Sequence, residues 1–234
     1  MNTSPETKII RVAILEDHPG TIDGYMYRFA MYPSIEVVAT ARFGDQLDEM
    51  LANHVADVLI LDVGVPASAG KHTPYPLFNV LPRLKKQYPQ MAVLIISAHK
   101  QRTLIRAVMD AGARGYIIKD DEPAILNLGQ IATSLAAGGV YLSQQSFEAL
   151  REKPGGPDDV EMLTERQREV LSLCAANPGL TTERVAKQLG IADSTLRNLL
   201  SNSYKRLKVN NLTSAIIKAR DLGLITPMEP RLDE

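Results

Sequence analysis

The sequence predicts an α/β doubly wound sheet of five parallel strands, order 2-1-3-4-5, joined to a small all-α domain of four helices. Three observations predict it. In the first half, short Val- and Ile-rich runs alternate five times with segments of period near 3.6. A Pro- and Gly-rich stretch follows at residues 151–159. Everything beyond it carries helical periodicity and helix caps.

The five runs are Ile9–Leu15, Ile35–Ala41, Asp57–Val63, Met91–Ser97 and Gly115–Ile118. Each is short enough for a strand. Several are almost wholly apolar, as strands buried on both faces of a parallel sheet must be. Between them, Leu47, Met50, Leu51 and His54 recur at helical spacing, as do Leu104, Ile105, Val108 and Met109. These elements make a first domain of residues 8–138. Residues 139–160 read as a helix end and a linker, because Arg151–Asp159 holds two prolines, two glycines and several charges.

The second domain spans residues 161–226. Thr164-Glu165-Arg166-Gln167 has the form of a capping box, with Thr164 as cap and Gln167 three residues on. Val170, Leu171 and Cys174 form that helix's apolar stripe, and Asn177-Pro178-Gly179 stops it. Thr181 or Thr182 caps a second helix, which Gly190 ends. Asp193 or Ser194 caps a third, running to about Leu207. A fourth covers roughly Leu212–Leu222 and ends at Gly223.

Composition narrows the function classes. Apolar residues make up 45% of the 234, which is globular and not disordered. No apolar run approaches the roughly 18–20 residues of a membrane span. The start, Met1-Asn2-Thr3-Ser4-Pro5, lacks the basic-then-apolar pattern of a secretory signal, so a cytoplasmic protein is expected. Cys174 is the one cysteine, which excludes an intrachain disulfide framework and any cysteine-cluster metal site. Residues 1–160 hold 15 basic against 18 acidic residues, whereas residues 161–226 hold 10 against 6. A basic second domain suits a polyanionic partner.

Three carboxylates fall where strands end. Glu16 and Asp17 follow the first strand, and Asp62 ends the third. In an open parallel sheet, ligands bind beyond the carboxyl ends of the strands where the order reverses. With order 2-1-3-4-5 the first and third strands are neighbours there, and the acids converge. Clustered carboxylates call for a cation, and oxygen ligands with room for water suit Mg²⁺. A carboxylate beside Mg²⁺ can attack a phosphoryl group. Ser97, ending the fourth strand, and Lys119, ending the fifth, supply the hydroxyl and the cation such chemistry needs. Taken singly, Glu16 or Asp17 reads as a helix cap, Ser97 as a loop hydroxyl and Lys119 as a solvated charge. It is their joint placement at four strand ends that points to a site.

The blocks Leu15-Glu16-Asp17-His18, Leu61-Asp62-Val63-Gly64-Val65-Pro66, Ser97-Ala98 and Gly112-Ala113-Arg114-Gly115-Tyr116-Ile117-Ile118-Lys119 resemble the signature blocks of receiver domains, a flavodoxin-like fold. The resemblance covers about residues 8–138. It implies that Asp62 accepts phosphoryl from a sensor histidine kinase. It also implies that Asp17, Asp62 and the Gly64 carbonyl hold Mg²⁺, with Glu16 acting partly through water. Ser97 would move toward the phosphoryl group, Tyr116 would rotate as a switch, and Lys119 would bridge to the phosphoryl oxygens. Val65 stands where the family often has methionine. Ala67–Pro76 lengthens the following loop, in which His72 reads as a solvated residue rather than a metal ligand.

In the second domain, a helix, a Gly-containing turn and a further helix read as helix-turn-helix, whose second helix enters the DNA major groove. On that helix Leu196, Leu200, Ser203 and Leu207 share one face. Arg197, Asn198, Ser201, Asn202 and Lys205 share the other, with Thr195 in the first turn. Arg, Asn and Lys read base edges or hold phosphates. Lys187, Arg206 and Lys208 add candidate backbone contacts. A solvated polar face is the plain alternative, and the adjoining helix and turn weigh against it. Residues 163–225 resemble the LuxR-type DNA-binding domain of NarL/FixJ response regulators, through Leu163–Leu171, Val185–Ile191 and Ser194–Asn198. Leu199 stands where the family often has histidine, and Leu212 where it often has arginine.

The expected protein is therefore a two-component response regulator and not an enzyme. Phosphorylation would drive homodimerisation or release of the DNA-binding domain. A phosphatase or phosphotransferase with an aspartyl intermediate is the rival reading, but such enzymes commonly carry an Asp-x-Asp motif after the first strand. A regulator independent of phosphorylation, and an adaptor that has lost DNA binding, are two further alternatives.

Overall fold

The computed structural model describes residues 8–70, 73–151 and 163–227. The first strand, β1 (Ile10–Leu15), leads into α1 (Pro19–Ala30), β2 (Ile35–Ala41) and, through a 3-10 turn at Gly44–Gln46, α2 (Leu47–Asn53). Then come β3 (Val58–Asp62), α3 (Leu77–Gln87), β4 (Ala92–Ser97), α4 (Arg102–Asp110) and β5 (Gly115–Ile118). Two helices close that wind, α5 (Glu122–Leu126) and α6 (Leu128–Ala136).

The five expected strands lie in the expected order, all parallel, and the sequence reading falls one strand short. A sixth, β6 (Tyr141–Leu142), pairs in parallel with β5, giving the order 2-1-3-4-5-6. It is followed by α7 (Gln144–Arg151), packed on α4 and β5. Both fall in the stretch read as helix end and linker; most of the linker itself, like His72, lies outside the described residues. A two-residue strand has too few positions to show a period, which is why β6 has no signature.

Side chains alternate across the sheet. Val12, Ile14, Ile60, Leu94 and Ile117 pack against Phe29 of α1 and Leu128 of α6. Leu15, Leu59, Leu61, Ile95 and Tyr116 face α2, α3 and α4. A fully buried aliphatic or aromatic side chain of this kind stabilises the fold by about 1.5–3 kcal/mol. His54, read as part of the α2 stripe, is instead exposed at the helix end.

The second domain has its four helices: α8 (Glu165–Ala176), α9 (Thr182–Gln188), α10 (Asp193–Leu207) and α11 (Leu212–Asp221). The capping box at α8 is formed: Thr164 Oγ1 accepts from the Gln167 amide, and Gln167 Oε1 accepts from the Thr164 amide at 2.9 Å. Thr181 sits at the N-cap of α9, without a side-chain cap bond. At α10 the expected cap is displaced by one residue. Ala192, with extended backbone (φ −68°, ψ 146°), is the N-cap, and Asp193 begins the helix. The Asp193 carboxylate is turned instead to Arg197, 2.5 Å away and one turn on. Asn211 caps α11 by accepting from the Ser214 amide at 2.8 Å, a cap the sequence reading missed. Gly190 and Gly223 end α9 and α11 with positive φ, as expected. Cys174 is buried in this domain's core.

The second domain's core is continuous with the α3–α4 side of the sheet. No helix among the described residues is long and apolar enough to cross a membrane.

Candidate functional site

Strand register builds the acidic site. Leu15 pairs with Leu61, so the next residues, Glu16 and Asp62, lie side by side at the ends of β1 and β3. Asp62 pairs with Ile96, placing Ser97 one residue farther along β4. Ser97 pairs with Ile118, placing Lys119 one residue beyond β5. Alternation then divides the groups. Glu16, Asp62 and Lys119 continue the face of Ile14, Ile60 and Ile117, whereas Ser97 continues the opposite face, shared by Ile95 and Tyr116.

Glu16, Asp62 and Ser97 are buried. Lys119 Nζ lies 3.0 Å from Glu16 Oε2 and 3.2 Å from Asp62 Oδ2, bridging the two carboxylates. Burial pulls the Lys119 ammonium toward its neutral form. The charges of Asp62 and Glu16 outweigh that, so its pKa is raised and it stays protonated. Asp17 is half-buried, and its carboxylate lies 3.2 Å from His18 Nδ1. His18 Nδ1 is also 3.4 Å from Glu16 Oε1, which accepts from the His18 amide at 3.2 Å. Glu16, Asp17 and His18 can each aim one ligand atom at a common point, within 4.8 Å of one another. The sequence signals His18 only by its position directly after the acidic pair. Glu16 Oε2 and Asp17 Oδ1 are buried, with Lys119 and His18 as their ionic neighbours.

On the other face Tyr116 is fully buried, and its hydroxyl donates to the His99 carbonyl at 2.7 Å. The His99 amide in turn donates to Ser97 Oγ at 3.2 Å. Burial pushes the Tyr116 phenol well above its ordinary range. Ser97 counters this and the Asp62 charge adds to it. Ser97 and Tyr116 are thus joined through one loop residue. Gly64, two residues beyond Asp62, is half-buried.

The helix wheel of α10 holds. Leu196, Leu200, Ser203 and Leu207 are buried, while Thr195, Arg197, Asn198, Ser201, Asn202 and Lys205 are exposed. Lys187 on α9 and Lys208 at the end of α10 are exposed as well, and Arg206 is half-buried. Leu199 and Leu212 pack against the domain core.

Two family models match the chain in succession. Residues 12–128 match the family model described as the response regulator receiver domain, and residues 161–219 match that of the luxR family of bacterial regulatory proteins. The transcriptional regulatory protein DegU of Brevibacillus brevis is 26% identical, over 96% of this chain and 99% of its own length. The nitrate/nitrite response regulator NarP of Escherichia coli is 29% identical, over 91% and 95%. Among solved structures, Salmonella RcsB bound to the rprA promoter with phosphomimetic BeF3− superposes with a TM-score of 0.62 at 21% identity, over 90% of this chain and 98% of that one. That last likeness is one of fold.

Proposed function

The chain belongs to the response regulator receiver family, with a LuxR-type regulatory domain behind the receiver, and from that premise we propose that Asp62 is its phosphoacceptor and that phosphorylation there controls binding of α10 to duplex DNA. The observation that carries this reading is the bridge from Glu16 through Lys119 to Asp62, a buried carboxylate at a strand end with a charged lysine already beside it.

The phosphoryl group comes from a phosphohistidine of a sensor histidine kinase. The N–P bond breaks, its electron pair stays on the imidazole, and Asp62 Oδ forms the new P–O bond. Lys119, already protonated, meets the added negative charge. Ser97 offers its hydroxyl to a phosphoryl oxygen, and Tyr116 follows through the His99 link. Asp17, Asp62 and the Gly64 carbonyl would hold Mg²⁺, with Glu16 acting partly through water. The set fits a hard dication: all its donors are oxygens, and the Glu16 and Asp17 carboxylates each bring an oxygen toward a common point. When bound, Mg²⁺ supplies neutralisation of the phosphoryl oxygens.

On the DNA side, Arg197 and Asn198 are the candidates for base edges. Thr195, Ser201, Asn202, Lys205, Lys187 and Lys208 border them as candidate phosphate and sugar contacts. RcsB has been solved as dimers bound to DNA. A homodimer on a two-part site is the corresponding arrangement for this chain when phosphorylated, in the cytoplasm. The chain acts as a stoichiometric phosphoacceptor and not as an enzyme.

Acetyl phosphate with Mg²⁺, read on a phosphate-affinity gel, tests the site. Wild type is expected to take up phosphoryl and Asp62→Asn to take up none. Normal uptake by Asp62→Asn overturns the assignment.

A further inference from the structure

The second domain holds a void that its helices do not fill. The sequence creates it at the join of α8 and α9. Pro178 cannot continue a helix, and α8 stops at Ala176. The Asn177 side chain turns back, its Nδ2 donating to the Leu173 carbonyl at 3.0 Å. The Leu180 amide donates to the Asn177 carbonyl at 3.0 Å, and only at Thr182 does α9 begin. That turn leaves a gap beside the last turn of α8, where Cys174 offers only a short side chain. The start of α11, fixed by the Asn211 cap, bounds the gap on its third side.

The cavity between α8, α9 and α11 measures about 110 Å³. Cys174, Leu180, Val185, Leu212 and Ile216 supply its apolar wall. Asn177, Pro178, Thr182 and Thr213 complete it, and no charged residue among the described ones lines it. Cys174 and Val185 are buried while Pro178 and Thr213 are exposed, so the void runs from a dry floor to a wet mouth. Close-packed interiors leave few voids larger than a water molecule. One water needs only about 10–15 Å³, whereas an apolar cavity of about 150 Å³ stays dry and takes up benzene or xenon. Water would find few partners on this floor, since the Asn177 amide already serves Leu173. Burial pushes the Cys174 thiol up to about 11, so it is neutral. A thiol held protonated is a poor nucleophile and a poor metal ligand, and here it acts as one more apolar surface.

We propose that this cavity is a binding site for a small neutral apolar molecule of about six heavy atoms or fewer, an aromatic ring or a branched hydrocarbon. Three features select that class. The volume keeps larger molecules off the floor. The wall offers an ionic ligand no counter-charge, and burying an unpaired charge is costly. The thiol and the Val, Leu and Ile methyl groups give dispersion contacts to a ligand that asks for no hydrogen bond. No residue of α10 lines the cavity, so such a ligand and DNA do not compete for Arg197 or Asn198. Yet α9 and α11 both pack on α10. The site is thus an entry to the DNA-binding domain that does not pass through Asp62.

Methyl NMR on the full chain, with xenon and benzene as probes, tests the site. The methyl signals of Leu180, Val185, Leu212 and Ile216 are expected to shift saturably with each probe, and equally in Asp62→Asn. Cys174 is the one cysteine, so its alkylation by iodoacetamide reports on the floor alone. Benzene near its solubility limit is expected to slow that alkylation at least threefold. Cys174→Leu, which fills the floor, is expected to lose the shifts. Val185→Ala, which enlarges the cavity, is expected to bind benzene at least threefold more tightly. Benzoate and benzylammonium, charged probes with the same ring, are expected to leave the wall methyls unmoved. Wall methyls that neither xenon nor benzene moves overturn the site, as do shifts that survive in Cys174→Leu or a Val185→Ala variant that binds no more tightly than wild type. Shifts lost in Asp62→Asn overturn its independence of the acceptor, and benzoate binding as tightly as benzene overturns the ligand class.

Discussion

The pocket at the sheet edge and the exposed face of α10 do their work under opposite conditions. In the pocket Glu16, Asp62 and Ser97 are buried, and their positions follow from strand register. On α10 the polar groups stand in water, and helix periodicity alone sets their spacing. Buried charges depend on one another, because removing one leaves its partner uncompensated in low dielectric. Exposed groups act nearly one by one. Changes in the pocket should therefore be close to all-or-none, and changes on α10 graded.

The largest effect is expected at Lys119. Lys119→Ala leaves Glu16 and Asp62 as neighbouring buried carboxylates without their shared cation. A loss of about 2–3 kcal/mol in unfolding free energy is expected, below the range for a wholly buried pair because Lys119 is partly exposed. Added Mg²⁺ should raise the variant's melting temperature more than wild type's. Melts with no greater response to Mg²⁺ than wild type would erase the distinction between the two regions.

A smaller effect is expected on α10. Arg197→Ala should cost about 1–3 kcal/mol of DNA binding and relax preference at one base pair. Lys205→Ala should weaken binding to all sequences alike and lower the salt slope by about one. Titrations at several salt concentrations separate the two. A sequence-selective loss from Lys205→Ala would exchange the roles given to these residues.

The smallest is at Asp57, remote from both regions. Its carboxylate takes three hydrogen bonds from Arg11, from the amide at 2.9 Å and from Nε and Nη2 at 3.0 Å each. The Arg11 guanidinium holds the Asp57 pKa below the ordinary carboxylate range. A carboxylate lowered in this way stabilises the fold above its unfolded pKa, and that stability is lost as pH falls through the folded value. Asp57→Asn should therefore cost under about 1 kcal/mol at pH 7, Arg11 being substantially exposed. The gap between variant and wild type should narrow as pH falls below about 4 and close once pH is below the lowered folded value. A gap that persists there would place the effect in packing instead.

The two regions also differ in how far the sequence discloses them. The strands are legible because burial on both faces leaves apolar runs such as Val58–Asp62 and Ala92–Ser97. Their polar terminal residues mark the site. The α10 wheel is legible from period alone. The cap at Ala192 is not, because Asp193 has two competing partners, the helix amides and Arg197, and takes Arg197. Nor is the bond from Leu77 to Thr226, since no local pattern records a contact across 149 residues. The lengthened loop is visible as a departure in length, but its destination is a matter of tertiary packing.

The central claim is that the buried pocket governs the exposed face, and DNA affinity measured with and without acetyl phosphate, on wild type and Asp62→Asn side by side, tests it most directly. A selected duplex should bind phosphorylated wild type at least tenfold more tightly than unphosphorylated wild type, with Asp62→Asn indifferent to the phosphoryl donor. Equal affinities for the two wild-type states, or a response from Asp62→Asn as large as wild type's, would contradict it.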